Sequence, residues 1–272
     1  IFNINYEAML IICNGAFKSG SSWLHAILVE LSIVKKLDLQ KVPSKYTNDV
    51  NSPTTIIESK LTDFLLIEDF VSNNYLTKSH FFKKKTLKRQ YKENVKFLFI
   101  ERDMKDAIVS HYFHIQNKYR NKVSFSMYYF FIGRYKAFEI SLFNYRCKKF
   151  MGVENFFHYS DLISDFETTV KKIANCLDVT DLSDDELNRI KEQTTLDKLR
   201  EDLKRGNVSY YPTNRDDNWK LFREGKVGSW RKHFNANQLK DVLRIKNGKF
   251  SVFSKVIYTF IFTVRRIIFR IE

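Results

Sequence analysis

The chain is predicted to be an α/β protein, with a central parallel sheet flanked by helices and a P-loop-like phosphate cradle. Three observations predict it. The apolar run Met9 to Cys13 breaks at a Lys/Ser/Gly turn and restarts as a helix. Val95 to Ile100 is a near-continuous apolar stretch, the pattern of a parallel strand buried on both faces. Strand and helix patterns then alternate with no hairpin turn between them, which favours parallel pairing.

The first strand and its loop occupy 9–18 and a helix follows over 19–34, because Leu24, Ile27, Leu28 and Leu31 recur at i, i+3, i+4 and i+7. The turn between them is Phe17-Lys18-Ser19-Gly20-Ser21-Ser22-Trp23-Leu24. The first amides of a helix have no internal partner, and they and the macrodipole favour an anion there. The loop is not a Walker A, since its Lys precedes the Gly and an aromatic stands on the first helical turn. From Leu37 to Asn74 the chain reads as polar and irregular. A short strand at 75–79 ends in Thr77-Lys78-Ser79-His80.

The strand 95–100 ends in Glu101-Arg102-Asp103, and Ile108, Tyr112 and Ile115 then mark a helix. Ser110, eight residues past Arg102, reaches the same pocket only if a loop at 103–106 precedes that helix. Residues 136–151 read as helix, 154–159 as strand, and Val170, Ile173, Ala174 and Leu177 as a further helix. Ser183 with Glu186 is a capping box. Ser209 to Trp219 reads as a long functional loop. No linker divides the 272 residues, so one domain over 1–272 is expected, with 250–272 a basic, apolar extension. Its run Val256 to Val264, followed by Arg265 and Arg266, is too short to span a bilayer. Core packing and a basic interfacial segment remain the two readings of it.

At 44% apolar residues with 25 Phe, the chain can build a full core and disorder is excluded. The net charge of +15 attracts anions without choosing among polyanionic ligands, anionic membrane and nucleic acid. Three cysteines without C-x-x-C spacing argue against a disulfide framework or a metal site and for a reducing compartment. No signal peptide is visible, since 9–13 is too short for an apolar h-region.

Four clusters in order then resemble the cytosolic sulfotransferase family, over about Leu10 to Phe234. They are Phe17 to Leu24, Thr77-Lys78-Ser79-His80, Arg102 with Ser110, and Phe222-Arg223-Glu224-Gly225-Lys226-Val227-Gly228-Ser229-Trp230. The resemblance implies a P-loop-like sulfotransferase fold and transfer of a sulfuryl group from 3′-phosphoadenosine 5′-phosphosulfate (PAPS), leaving PAP. The implied acceptor is a small molecule with a hydroxyl or amine. Metal and nucleic acid have no implied part, and the compartment is the cytoplasm. The catalytic set is His80, Lys18, Lys78 and Ser110. Ser19, Gly20, Ser21 and Ser22, with Lys18, hold the 5′-phosphosulfate; Arg102, Ser110, Arg223, Glu224 and Gly225 hold the 3′-phosphate. Trp23, Tyr159, Thr194 and Leu196 lie near the adenine.

The chemistry of these residues agrees. Lys18 offers a compact charge where the bridging oxygen becomes negative. Arg102 suits a phosphate bidentately. His80 carries an imidazole, which when neutral can take the acceptor's proton. Several positions depart from the family pattern: Leu196 replaces an aromatic, Met104 a Pro, Ser229 an Asp, and Glu224 a second base. The family's dimer motif is not reproduced in 232–240. Two other readings stand beside this one: a nucleotide kinase, which wants Lys after Gly and a magnesium-binding Asp at a strand end, and a basic nucleic-acid or membrane-surface protein.

Overall fold

The computed structural model describes residues 8–48, 52–67, 73–119, 123–205 and 224–248, with Val256 and Phe260. They fall into two compact units. The first runs through 1–102 and 146–225, the second through 103–145 and 226–272.

The first unit carries the sheet. Its strands are β1 (Leu10–Gly15), β2 (Leu39–Lys41), β3 (Thr47–Asn48), β4 (Ser52–Ile56), β5 (Asn74–Ser79), β6 (Val95–Glu101) and β7 (Phe156–His158). They lie in the order β3-β4-β5-β1-β6-β7, with β2 also paired to β5. All of these pairs are parallel except β3–β4, which is antiparallel. The expected α/β parallel sheet is therefore present. The stretch read as irregular holds three short strands, whose mostly polar residues and lengths of two to five leave no readable period.

β1 is central and buried along its whole length, as its unbroken apolar run requires. Ile11 and Cys13 join Leu98, Ile100 and Phe157 in one core with Leu24, Ile27, Leu28 and Leu31 of α1 (Ser21–Val34). The helices Phe166–Asn175 and Asp184–Gln193 complete that layer through Val170, Ile173, Leu187 and Ile190. Both halves of the Ser183–Glu186 capping box form.

In the second unit a helix runs Met104–Tyr119. The expected loop at 103–106 is absent. The Asp103 carboxylate accepts from the amides of Lys105 (2.9 Å) and Asp106 (3.3 Å), so it starts the helix at once. Among the described residues no helix is long and apolar enough to cross a membrane. The 209–219 loop lies outside the described residues, as does the C-terminal extension apart from Val256 and Phe260.

Candidate functional site

β1 and β5 are in register, Cys13 opposite Lys78 and Asn14 opposite Ser79, so their ends deliver two loops to the same edge. β6 runs on the other side of β1, with Gly15 opposite Ile100, and brings Arg102 to that edge too. This is the carboxyl edge of the parallel strands, where open α/β sheets bind ligands.

The loop after β1 is shaped by backbone. Lys18 sits at φ +63° and Gly20 at φ +107°. The first is costly for a residue with a Cβ, and such strain gathers at ligand clamps. Gly20 occupies the N-cap position of α1, and no side chain caps the helix there. A Cβ on Gly20 would stand 2.6 Å from the Tyr159 ring, so the position admits only glycine. The helix starts at Ser21, two residues later than the apolar period suggests, because Gly20 is left-handed.

Cations crowd this turn. Burial pushes the Lys18 amine down to about 8, and Arg102 and then Lys78 add repulsion. Lys78 is buried on β5, and burial lowers its amine to about 8 as well. His25, buried beneath on α1, is held well below the usual histidine range by burial and by Lys78, so it is neutral. Ser19 Oγ and Ser79 Oγ are buried with no hydrogen-bond partner among the described residues. Depressed cations, orphaned hydroxyls and an uncapped helix start together fit a polyanion such as a phosphosulfate.

Arg102 leaves β6 with its guanidinium 4.3 Å from the centroid of the Tyr159 ring. That ring is buried, meets Trp23 edge-on at 5.2 Å, and covers Gly20. Tyr159 thus couples the phosphate turn to Arg102. Trp23 stacks on Phe166 at 6.3 Å and packs against two core clusters, so much of its ring serves as an anchor. Its Nε1 is buried with no hydrogen-bond partner among the described residues. Thr194 is buried with its hydroxyl donating to the Ile190 carbonyl at 2.7 Å. Leu196 is half-buried, and a Cβ on Gly225 (φ +62°) would lie 3.2 Å from its side chain.

His80 is exposed, and its Nδ1 lies 2.7 Å from the Gly15 carbonyl. A carbonyl only accepts, so Nδ1 carries the proton and the neutral ring has its lone pair on Nε2. The residue after it is clamped by Asn14, which is fully buried. Asn14 Oδ1 accepts from the Phe81 amide at 2.9 Å, and its Nδ2 donates to the Phe81 carbonyl at 3.0 Å.

The first unit therefore assembles Lys18, Ser19, Gly20, Trp23, Lys78, Arg102 and Tyr159 around one turn, with His80 just past the end of the adjoining β5. Ser21 and Ser22 open α1. Ser110 belongs to the second unit and lies within a helix, not after a loop. Glu224 is exposed, and Arg223 lies outside the described residues. Sequence reasoning missed Asn14 and His25. The only signal for Asn14 was an amide at the end of the apolar strand Leu10–Gly15.

A family model described as the sulfotransferase domain matches residues 10–253. Mouse (Mus musculus) Sulfotransferase 6B1 is 26% identical over 231 residues, 81% of this chain and 69% of that protein. The crystal structure of mouse sulfotransferase SULT7A1 complexed with PAP superposes at a TM-score of 0.63 and 17% identity, covering 95% of this chain and 90% of that one. Retinol dehydratase in complex with androsterone and inactive cofactor PAP superposes at 0.56 and 15% identity, covering 93% and 83%. At those identities the structures establish the fold. The family match spans most of the sequence and includes every predicted motif, so this chain belongs to the sulfotransferase domain family.

Proposed function

We propose that this sulfotransferase uses PAPS as its donor and sulfates a hydroxyl or amine of a small acceptor by in-line displacement, with His80 as general base. The observation that carries this reading is the pairing of depressed lysines at an uncapped helix start with a histidine whose tautomer is set. PAP in the related crystal structures supports the choice of nucleotide.

Bound PAPS would supply the activated sulfuryl group. The amides that open α1, with Ser19, Ser21 and Ser22, hold the 5′-phosphate, and Lys18 takes up the negative charge left on the bridging oxygen. Arg102, steadied on Tyr159, binds the 3′-phosphate; Ser110, Arg223, Glu224 and Gly225 complete that subsite. Trp23, Tyr159, Thr194 and Leu196 border the adenine. His80 Nε2 takes the acceptor's proton as the acceptor atom bonds to sulfur. Lys78 steadies the sulfuryl oxygens, so the two lysines give the electrostatic help that magnesium gives in phosphoryl transfer. The whole chain acts as one sulfotransferase domain of the cytoplasm.

PAP should raise the melting temperature strongly in the presence of EDTA, and ATP with magnesium should do so weakly. The variant His80→Ala should keep PAP binding and lose transfer by ~10²–10⁴. Loss of nucleotide binding in EDTA would favour the kinase reading. Unchanged turnover in the variant would remove His80 from the chemistry.

A further inference from the structure

Three residues past His80 the chain enters a stretch, Lys83 to Lys92, in which six of ten residues are Lys or Arg and none is Asp or Glu. Several lysines elsewhere pair with carboxylates, among them Lys35–Glu186, Lys96–Asp178, Lys191–Glu167 and Lys198–Asp202. Among the described residues none of Lys83, Lys84, Lys85, Lys88, Arg89 and Lys92 forms an ion pair, and all six are exposed. Glu58 accepts from the Lys83 backbone amide, and Arg89 donates to the neutral Thr62 hydroxyl.

The segment is firmly mounted. Phe81, ahead of the one-turn helix Lys84–Leu87, and Leu87, its last residue, are both buried at 1% exposure, and the Tyr91 hydroxyl closes onto the Thr86 carbonyl at 2.9 Å. Six cations held at close range repel one another, and a polyanion laid across them relieves that repulsion and is drawn in from solution.

We propose that this ridge docks the acceptor, and that the acceptor is an anionic carbohydrate, a hydroxyl-rich molecule bearing carboxylate or sulfate groups; this rests on the sulfotransferase reading above. Position is the first argument. Lys83 lies within about 11 Å of His80 along the chain, the reach of three residues, so an anionic group on the ridge leaves a hydroxyl of the same molecule near the base. Composition is the second. Phe82 is 40% exposed, with the Arg146 guanidinium 5.6 Å from its ring centroid, an aromatic face suited to the apolar side of a sugar ring. It is the one exposed large apolar side chain between 82 and 92, too little to seat a membrane-inserting face.

The test compares an unsulfated chondroitin tetrasaccharide with neutral 4-nitrophenol as acceptors, with the full chain and PAPS, from about 20 to about 200 mM salt. Tetrasaccharide kcat/KM should fall at least about tenfold with salt, and 4-nitrophenol kcat/KM by less than about twofold. The charge-reversed variant Lys83→Glu/Lys84→Glu/Lys85→Glu should lower the ratio of the two kcat/KM values by at least about tenfold and leave PAP affinity intact. Equal losses for both acceptors, an unchanged ratio, or a ridge that serves only RNA or anionic vesicles would overturn the inference. Fluorescence titration of labelled tetrasaccharide onto the PAP-loaded protein separates the two readings. Ridge-dependent binding without transfer to any acceptor overturns the sulfotransferase chemistry, whereas ridge-independent binding with normal transfer overturns the docking surface alone.

Discussion

The buried amide of Asn14 grips the backbone of Phe81 from both sides, accepting from its N–H at 2.9 Å and donating to its C=O at 3.0 Å. One residue earlier, the His80 ring is tied to the Gly15 carbonyl at 2.7 Å. The end of β1 thus holds both the histidine and the residue that follows it. In the proposed role as general base, His80 must lie within hydrogen-bond reach of the proton it takes, and this double tie supplies that placement.

Asn14→Ala should therefore act through His80. It leaves the buried Phe81 amide without its acceptor, costing about 1–3 kcal/mol when unmet, and leaves the Phe81 carbonyl with the weaker Cys147 thiol donor at 3.6 Å. We expect a lower unfolding free energy and a fall in kcat of about ten- to a hundredfold, with PAP affinity nearly unchanged. Placed in a His80→Ala background, the same change should cost little further activity. Denaturant melts and the double-mutant cycle check it, and full additivity would separate Asn14 from the base.

The pH behaviour of the two lysines has opposite signs in the free and nucleotide-bound protein. Their amines are held down at about 8 in the folded chain, against an ordinary value of 10.5. Between those values the unfolded chain binds more protons, so their contribution makes the free protein more stable as pH rises from about 8 towards 10.5. At the proposed donor site PAP binding should run the other way, drawing on both charges and weakening as pH rises through about 8. Melting curves and PAP titrations from pH 7 to 10 read both slopes. PAP affinity that stays flat across that range would take the lysines out of the phosphate site.

In the second unit, Asp106 is 1% exposed and accepts from the Gly228 amide at 2.7 Å, the Trp230 amide at 3.1 Å and the Ser229 hydroxyl at 3.3 Å. It organises the late glycine loop, and Lys105 covers Trp230 at 3.9 Å from the ring centroid. Asp106→Ala should destabilise the fold by about 1–3 kcal/mol for each amide left unmet. It should also speed hydrogen exchange at Gly228 and Trp230, while Asp106→Asn keeps part of the protection. Unaltered exchange in the alanine variant would show that the loop holds its shape without Asp106.

Sequence alone determined the layered α/β class, the central parallel strands and the glycine turn between β1 and α1, and it put forward His80, Arg102 and Lys78 as candidates. Each of these is local: an apolar run, a helical period or a short motif carries its own signature. The short strands 39–56 were illegible because strands of two to five polar residues take their pairing from neighbours, not from their own pattern. The loop expected at 103–106 failed for a local reason that motif spacing hid, the Asp103 cap. Tertiary structure decided that Tyr159 braces Arg102 and Gly20, that Asn14 clamps Phe81, and that Gly15 sets the His80 tautomer. Those contacts join residues 57 and more positions apart in the chain, and the physical cause lies in strand register, which no single segment encodes.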